Sequence, residues 1–245
     1  MLMATGFFSL KQFAEGLRMF ETHTIGYFIS CQISCGKPFF SNQQLVLLTK
    51  INVMAPTLFN MVYQHPLFTP SDLQEIFSLH QKIILPKNAF FLKEGKTANA
   101  YYLVEKGLVR FYVHDFNGNE ITTQFICENE IVNEVSSLFQ RIPSVQNIQA
   151  VTHAIIWKID FDDFQHLYHT MESVREWGRE WMSAQLFQSQ QRSIEMITQS
   201  ASSRYLQLLK DRPQIFRQAP LKQIASYLGI ADTSLSRIRK EMTSP

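Results

Sequence analysis

With 245 residues, 45% of them apolar and 13% aromatic, the chain has ample material for a packed core, and 20 phenylalanines against 9 glycines and 9 prolines exclude collagenous, low-complexity and extensively disordered architectures. Its apolar runs, such as Ile25 to Phe28 and Leu45 to Leu48, fall far short of the roughly 20 residues that span a bilayer, and no basic segment leads into an apolar one at the N-terminus. The net charge of +2 is unevenly spread: residues 1–53 carry +2, residues 54–203 carry −5 and residues 204–245 carry +5, the pattern of an acidic body with a basic end that meets phosphate.

Residues 1–53 hold scattered aromatics without sustained alternation or a capping box. They are read as a leader of uncertain status, with Met54 as the expected true start. Cys31, Cys35 and Cys127 are too few for a disulfide framework, so a reducing, cytoplasmic setting is expected. From Gln81 to Ile159 the chain reads as short strands separated by turns. Tyr101 to Val104 stops at Lys106-Gly107, and Val109, Phe111 and Val113 then alternate with Arg110, Tyr112 and His114, the period of a half-buried strand. Asn117-Gly118 predicts a hairpin, because both residues tolerate positive φ, and Ile121, Thr123 and Phe125 form the return strand. Turn glycines at 95, 107 and 118 fit an antiparallel sandwich or barrel.

Beyond Ile159 the pattern turns helical. Asp160 is placed to cap one helix, and a longer one is predicted from about Glu172 to about Gln199, with Val174, Trp177, Trp181, Ala184, Ile194 and Ile197 on one stripe. Spacing alone leaves open whether the two tryptophans pack on the barrel or form a dimer seam.

The segment Leu221 to Met242 meets the steric demands of a helix-turn-helix. Ile224 and Leu228 face inward, Ala225 is small where the second helix crosses, Gly229 supplies the left-handed turn residue and Ile230 fills the corner. Leu235, Ile238 and Met242 give the second helix its buried stripe, leaving Thr233, Ser234, Ser236, Arg237 and Lys240 on the opposite face for bases and phosphates. Ala231 stands where a capping side chain is expected, with Asp232 as its substitute one residue late.

The order of these parts resembles the cyclic-AMP receptor protein/FNR (Crp/Fnr) family of bacterial regulators from about Thr69 to Met242. The likeness rests on Phe91-Leu-Lys-Glu-Gly95 with Tyr102-Leu-Val-Glu-Lys-Gly107, on Asn117-Gly-Asn-Glu-Ile121, and on the helix-turn-helix. It implies an α+β fold: an N-terminal antiparallel β-roll over 54–160, dimerisation helices over 161–200 and a DNA-binding domain over 201–245. It also implies a homodimer whose seam includes Val174, Trp177, Trp181 and Ala184, bound to double-stranded DNA, with RNA polymerase as a further partner. The family's wing after the recognition helix is not expected here, since Thr243-Ser-Pro245 read as too short for a hairpin, and phosphate contacts are expected from Arg217, Lys222, Arg239 and Lys240.

Family members that bind cyclic nucleotide carry a Glu that accepts the ribose hydroxyl and, ten residues on, an Arg that neutralises the phosphate beside a Ser or Thr. Here Glu134 remains, while Ser144 and Val145 stand at the other two places; Arg141, three residues away, is the one cation near enough to substitute, but reads as an exposed turn residue. Glu134, Arg141, Ser144 and Val145 are therefore the effector-pocket candidates, for an effector of unknown identity rather than a cyclic nucleotide. No cofactor is expected: three cysteines cannot hold an iron–sulfur cluster, and His114, His153, His166 and His169 lack metal-ligand spacing. No catalytic set is visible, so an enzyme is not expected. The competing reading is a ligand-sensing module that acts through a protein partner without touching DNA.

Overall fold

In the computed structural model, residues 57–243 are described, all within one unit that runs from Met54 to Pro245. The expected leader and its start lie outside the described residues. Two short helices, α1 (Thr57–Val62) and α2 (Pro70–Leu79), precede the strands. Helix α2 starts where it does because Thr69 and Asp72 satisfy each other's backbone N–H groups in a capping box and Pro70 presets the first turn.

Eight antiparallel strands follow: β1 (Gln81–Leu85), β2 (Phe90–Leu92), β3 (Ala100–Lys106), β4 (Val109–His114), β5 (Glu120–Ile126), β6 (Ile131–Val132), β7 (Asn147–Ala150) and β8 (Ala154–Asp160). They form two four-stranded sheets, ordered β1-β8-β3-β6 and β2-β7-β4-β5. Both faces of β4 are covered, against the expected wet face: Arg110 and Tyr112 are buried along with Val109 and Phe111. Arg110 escapes isolation by pairing with Glu120 on β5 and Gln149 on β7 while its guanidinium lies 4.2 Å over the Tyr112 ring. At the β4–β5 hairpin only Gly118 takes positive φ (79°), and Asp115, not Asn117, organises the turn by accepting the N–H groups of Asn117 and Asn119. Gly107 is the more constrained glycine: at φ 108° its missing Cβ would stand 2.7 Å from the His153 carbonyl oxygen.

Helices α3 (Val135–Gln140), α4 (Phe161–Thr170) and α5 (Glu172–Thr198) flank the roll, and α6 (Ala201–Asp211), α7 (Pro213–Gln218), α8 (Leu221–Tyr227) and α9 (Asp232–Thr243) complete the chain. Asp160 occupies the N-cap of α4 as expected, yet its carboxylate makes no capping bond and pairs with Lys158 at 2.7 Å instead. The start of α5 is part of the core. Val174 and Trp177 are 1% and 6% exposed; Trp177 donates its indole N–H to the Val62 carbonyl at 3.0 Å and lies 4.6 Å from the Tyr63 ring. These two residues were expected in a dimer seam. They are consumed by the chain's own core, because α1 and α2 supply an apolar surface that the stripe on α5 meets first. Trp181 follows them, half-buried against Trp177, while Ala184 is exposed.

A polar thread runs through this core. The buried His80 ring is set to donate from Nδ1 to the Ile76 carbonyl at 2.8 Å, leaving Nε2 to accept from the Tyr63 hydroxyl, which in turn meets Tyr101. Burial lowers the pKa of His80 to about 4, partly opposed by its bond to Ile76. Below about pH 6.5 the unfolded chain binds a proton that the folded chain refuses until about pH 4, so His80 stabilises nothing on acidification and costs stability across that window. Urea unfolding at pH 7.5 and 5 should show a loss of about 2 kcal/mol traceable to this group, and His80→Gln should flatten the difference by that amount.

Candidate nucleic-acid interface and sensor site

The segment expected to form a helix-turn-helix folds as two helices, α8 and α9, joined by a tight turn. Ile224, Ala225, Leu228, Leu235 and Ile238 are all buried, and Gly229 has φ 70°. The last turn of α8 is a Schellman closure, with Ile230 N–H donating to Ala225 O and Gly229 N–H to Ser226 O. Ala231 is in the N-cap position of α9, where its carbonyl accepts from Leu235 N–H, so Asp232 sits within the first turn rather than capping it. Met242 is 39% exposed and does not complete the buried stripe, since the helix has run past the surface of α8 by then.

Thr233, Ser236, Arg237, Arg239 and Lys240 are exposed along α9, and Ser234 is half-buried. Lys222 at the start of α8 and Arg217 on α7 are exposed as well. Arg237 leans towards Glu241, 3.8 Å away, but its side chain is 76% exposed, a pairing too solvated to hold it back from a stronger acceptor. Thus Thr233, Ser236, Arg237, Arg239 and Lys240 face solvent on α9, away from the buried Leu235 and Ile238, with the acidic Asp232 at the start of the helix.

Sequence reasoning missed the groups that hold this unit in place. Arg192 on α5 donates to Tyr227 O at 2.8 Å and stacks 3.7 Å over the Tyr227 ring; Arg204 on α6 donates to Leu228 O at 2.9 Å. Arg212, at the end of α6, donates to Phe125 O on β5 and pairs with Glu130, and Ser226 meets Thr122 at 3.1 Å. A second apolar cluster lies across the same junction, where Leu108, Phe125, Cys127 and Val151 of the roll pack with Tyr205, Ile215, Ile224 and Leu235. Burial raises the pKa of the Cys127 thiol, keeping it protonated despite the neighbouring Arg212. These contacts join residues far apart in sequence, so no local pattern announces them.

The effector candidates are not brought together as one site. Glu134 caps α3, accepting from Ser137 N–H and, at 2.8 Å, from the Ser136 hydroxyl, and it lines a cavity of about 200 Å³ with Tyr102, Lys158 and Asp160. Ser144 is buried and spends its hydroxyl on the Gln146 main chain at 2.9 and 3.0 Å, while Val145 is 70% exposed. Arg141 is not a spare cation. It adopts a left-handed φ of 58° at the end of α3, donates to Ala98 O at 2.7 Å and to Asn99 Oδ1, and lies 4.6 Å over the Phe161 ring. A larger cleft of about 600 Å³ opens elsewhere, between Thr123, Gln124 and Gln146 of the roll and Gln188, Arg192 and Arg204 of the helices. Among the described residues no group of His, Cys, Asp and Glu could hold a metal, and no helix is long and apolar enough to cross a membrane.

Breaking the junction has a measurable signature. In a double-mutant cycle, Arg212→Ala and Glu130→Ala should show coupling of about 1 kcal/mol in urea unfolding, whereas coupling near zero would mean that the pair contributes nothing to docking.

Residues 82–171 match the family model of the cyclic nucleotide-binding domain. No curated protein matches the chain. Among solved structures, a putative transcriptional regulator of the Crp/Fnr family from Eubacterium rectale is 17% identical with a TM-score of 0.58, covering 74% of this chain and 87% of that one. The c-di-GMP-responsive global regulator CLP of Xanthomonas campestris is 15% identical with a TM-score of 0.57, covering 71% and 91%. FixK2 from Bradyrhizobium japonicum is 14% identical with a TM-score of 0.55, covering 66% and 84%. Residues 82–171 are thus similar to a cyclic nucleotide-binding domain, and the antiparallel roll followed by a long helix is a fold shared with these solved structures.

Proposed function

We propose that this chain is a cytoplasmic DNA-binding transcription regulator that reads a near-palindromic site as a homodimer and responds to a small-molecule effector through its β-roll. The observation that carries the reading is α9. A helix held by two buried side chains, Leu235 and Ile238, turns hydroxyl, guanidinium and ammonium groups outward within a segment of net charge +5, the combination that reads base edges and neutralises phosphates. RNA polymerase is the further partner such a regulator would engage.

The dimer seam belongs on a different face of α5 from the one the tryptophans occupy. At about 100° per residue, Met182 and Leu186 fall on the side opposite Val174 and Trp177, and so do Ile194 and Ile197, which were expected on the same stripe as those two; all four are exposed, Leu186 by 61% and Ile197 by 85%. Exposed apolar residues recurring along one face of a long helix fit a helical partner, here a second copy. The effector is not a cyclic nucleotide held in the usual way, since Ser144 replaces the arginine and Arg141 is already committed to Ala98 and Asn99. A buried phosphate there would lack a charge-assisted partner.

Selection from a random pool of duplexes should yield a two-fold symmetric site whose binding weakens steeply with salt. Arg237→Ala should cost about 10- to 100-fold in affinity for that site and relax discrimination at one base pair per half-site; failure to select any site, or salt-insensitive binding, would overturn the reading. Separately, Leu186→Glu with Ile194→Glu should halve the mass seen by sedimentation equilibrium while leaving the melting temperature of the roll unchanged. Val174→Ala should act the other way, lowering stability by about 1–2 kcal/mol without dissociating the dimer.

A further inference from the structure

Of the acids between residues 204 and 245, Asp211 accepts from Gln207 at 2.6 Å and Glu241 lies 3.8 Å from Arg237. Asp232 differs from both. It is exposed in the first turn of α9, and among the described residues its carboxylate makes neither a hydrogen bond nor an ion pair. Capping does not employ it, since Ala231 occupies the N-cap position and receives the Leu235 N–H on its carbonyl. The positive end of a helix attracts any acid in its first turn, but at an exposed position that field is weakened by water and is indifferent to what lies in front of the side chain. In a segment of net charge +5 suited to phosphates, an unpaired carboxylate repels the DNA backbone unless a group in the groove donates to it.

A recognition helix enters the major groove with its N-terminal residues against base edges. At about 100° per residue, Asp232 and Ser236 stand one turn apart on one edge of the exposed face of α9, with Thr233, Arg237 and Lys240 along the other. The four bases differ in what they offer a carboxylate there. Guanine and thymine present acceptors, which repel it, and adenine sets its amino group beside the N7 lone pair. Cytosine presents an amino donor with no acceptor next to it. We propose that Asp232 is a specificity-determining residue of α9, accepting a hydrogen bond from the N4 amino group of a cytosine in each half-site. Arg237, five residues on, stands about 7.5 Å further along the helix axis, so this cytosine falls within about three base pairs of the position that Arg237 reads. The assignment deepens the DNA-binding reading and rests on it.

The test selects binding sites from random duplexes with the 245-residue chain and with its Asp232→Asn, Asp232→Ala and Arg237→Ala variants, the last marking the register. The unaltered chain is expected to select a cytosine in each half-site, preferred about tenfold over thymine at that position. A carboxamide matches adenine N6 and N7, so Asp232→Asn should turn that one position from cytosine to adenine and leave the others unchanged. Asp232→Ala should remove the preference there, and both variants should bind random-sequence DNA about threefold more tightly, because a charge that repels phosphate is gone. Retention of cytosine by either variant, shown to be folded by far-UV circular dichroism, overturns the proposal. A role confined to the helix end gives that result, with a lower melting temperature and every base preference intact. If the unaltered chain selects no site, the regulator and this assignment fall together; if it selects a two-fold symmetric site that the Asp232 variants leave unchanged, the assignment alone falls.

Discussion

The last carbonyls of a helix find no partner inside it, and at the end of α8 they are claimed from three directions. Ala225 O and Ser226 O are satisfied by the turn itself, through Ile230 and Gly229, while Tyr227 O goes to Arg192 and Leu228 O to Arg204. Each guanidinium is thereby spent on the backbone at the end of α8, and each comes from a different helix. The position of α9 follows from that arrangement, since Gly229 and the buried Leu235 and Ile238 fix α9 to α8, and α8 is fixed to α5, α6 and β5. With α8 pinned this way, the exposed run on α9 has a defined direction relative to the roll.

Much of this was legible in the sequence where the physics is local. The hairpin at Gly118, the glycine at 229, the spacing of Ile224, Leu228, Leu235 and Ile238, and the extent of α5 all follow from rules that act within a few residues, and they reappear almost where expected. What the sequence hid depends on what lies opposite. The stripe holding Val174 and Trp177 has the same period whether it meets a roll or a second copy, and only the placement of α1 and α2 decides in favour of the roll. Arg192 and Arg204 reach carbonyls 35 and 24 residues away, beyond any capping signal that spacing can reveal. Arg141 looked like an exposed turn residue because nothing local shows the Ala98–Asn99 loop beneath it.

The junction also bears on the division into domains. A boundary near residue 200 follows the change in composition, yet one apolar cluster includes Phe125 and Cys127 of the roll together with Tyr205 and Ile224 beyond that boundary. Removing the C-terminal helices would expose Phe125 and Leu108 to water, so the roll relies on those helices to keep part of its own apolar surface dry.

One further consequence comes from the length of α5. Trp177 is clamped in the core at one end and Arg192 grips Tyr227 at the other, 15 residues on, which is about 22 Å of straight helix. The helix is therefore a lever with its fulcrum in the roll. A tilt of about 5° at the tryptophan carries the guanidinium about 2 Å sideways, enough to take an N–H···O contact out of bonding range. Small repacking beside Trp177 is thus geometrically amplified where the end of α8 is held, and the amplifying element is a single unbroken helix rather than a chain of separate contacts.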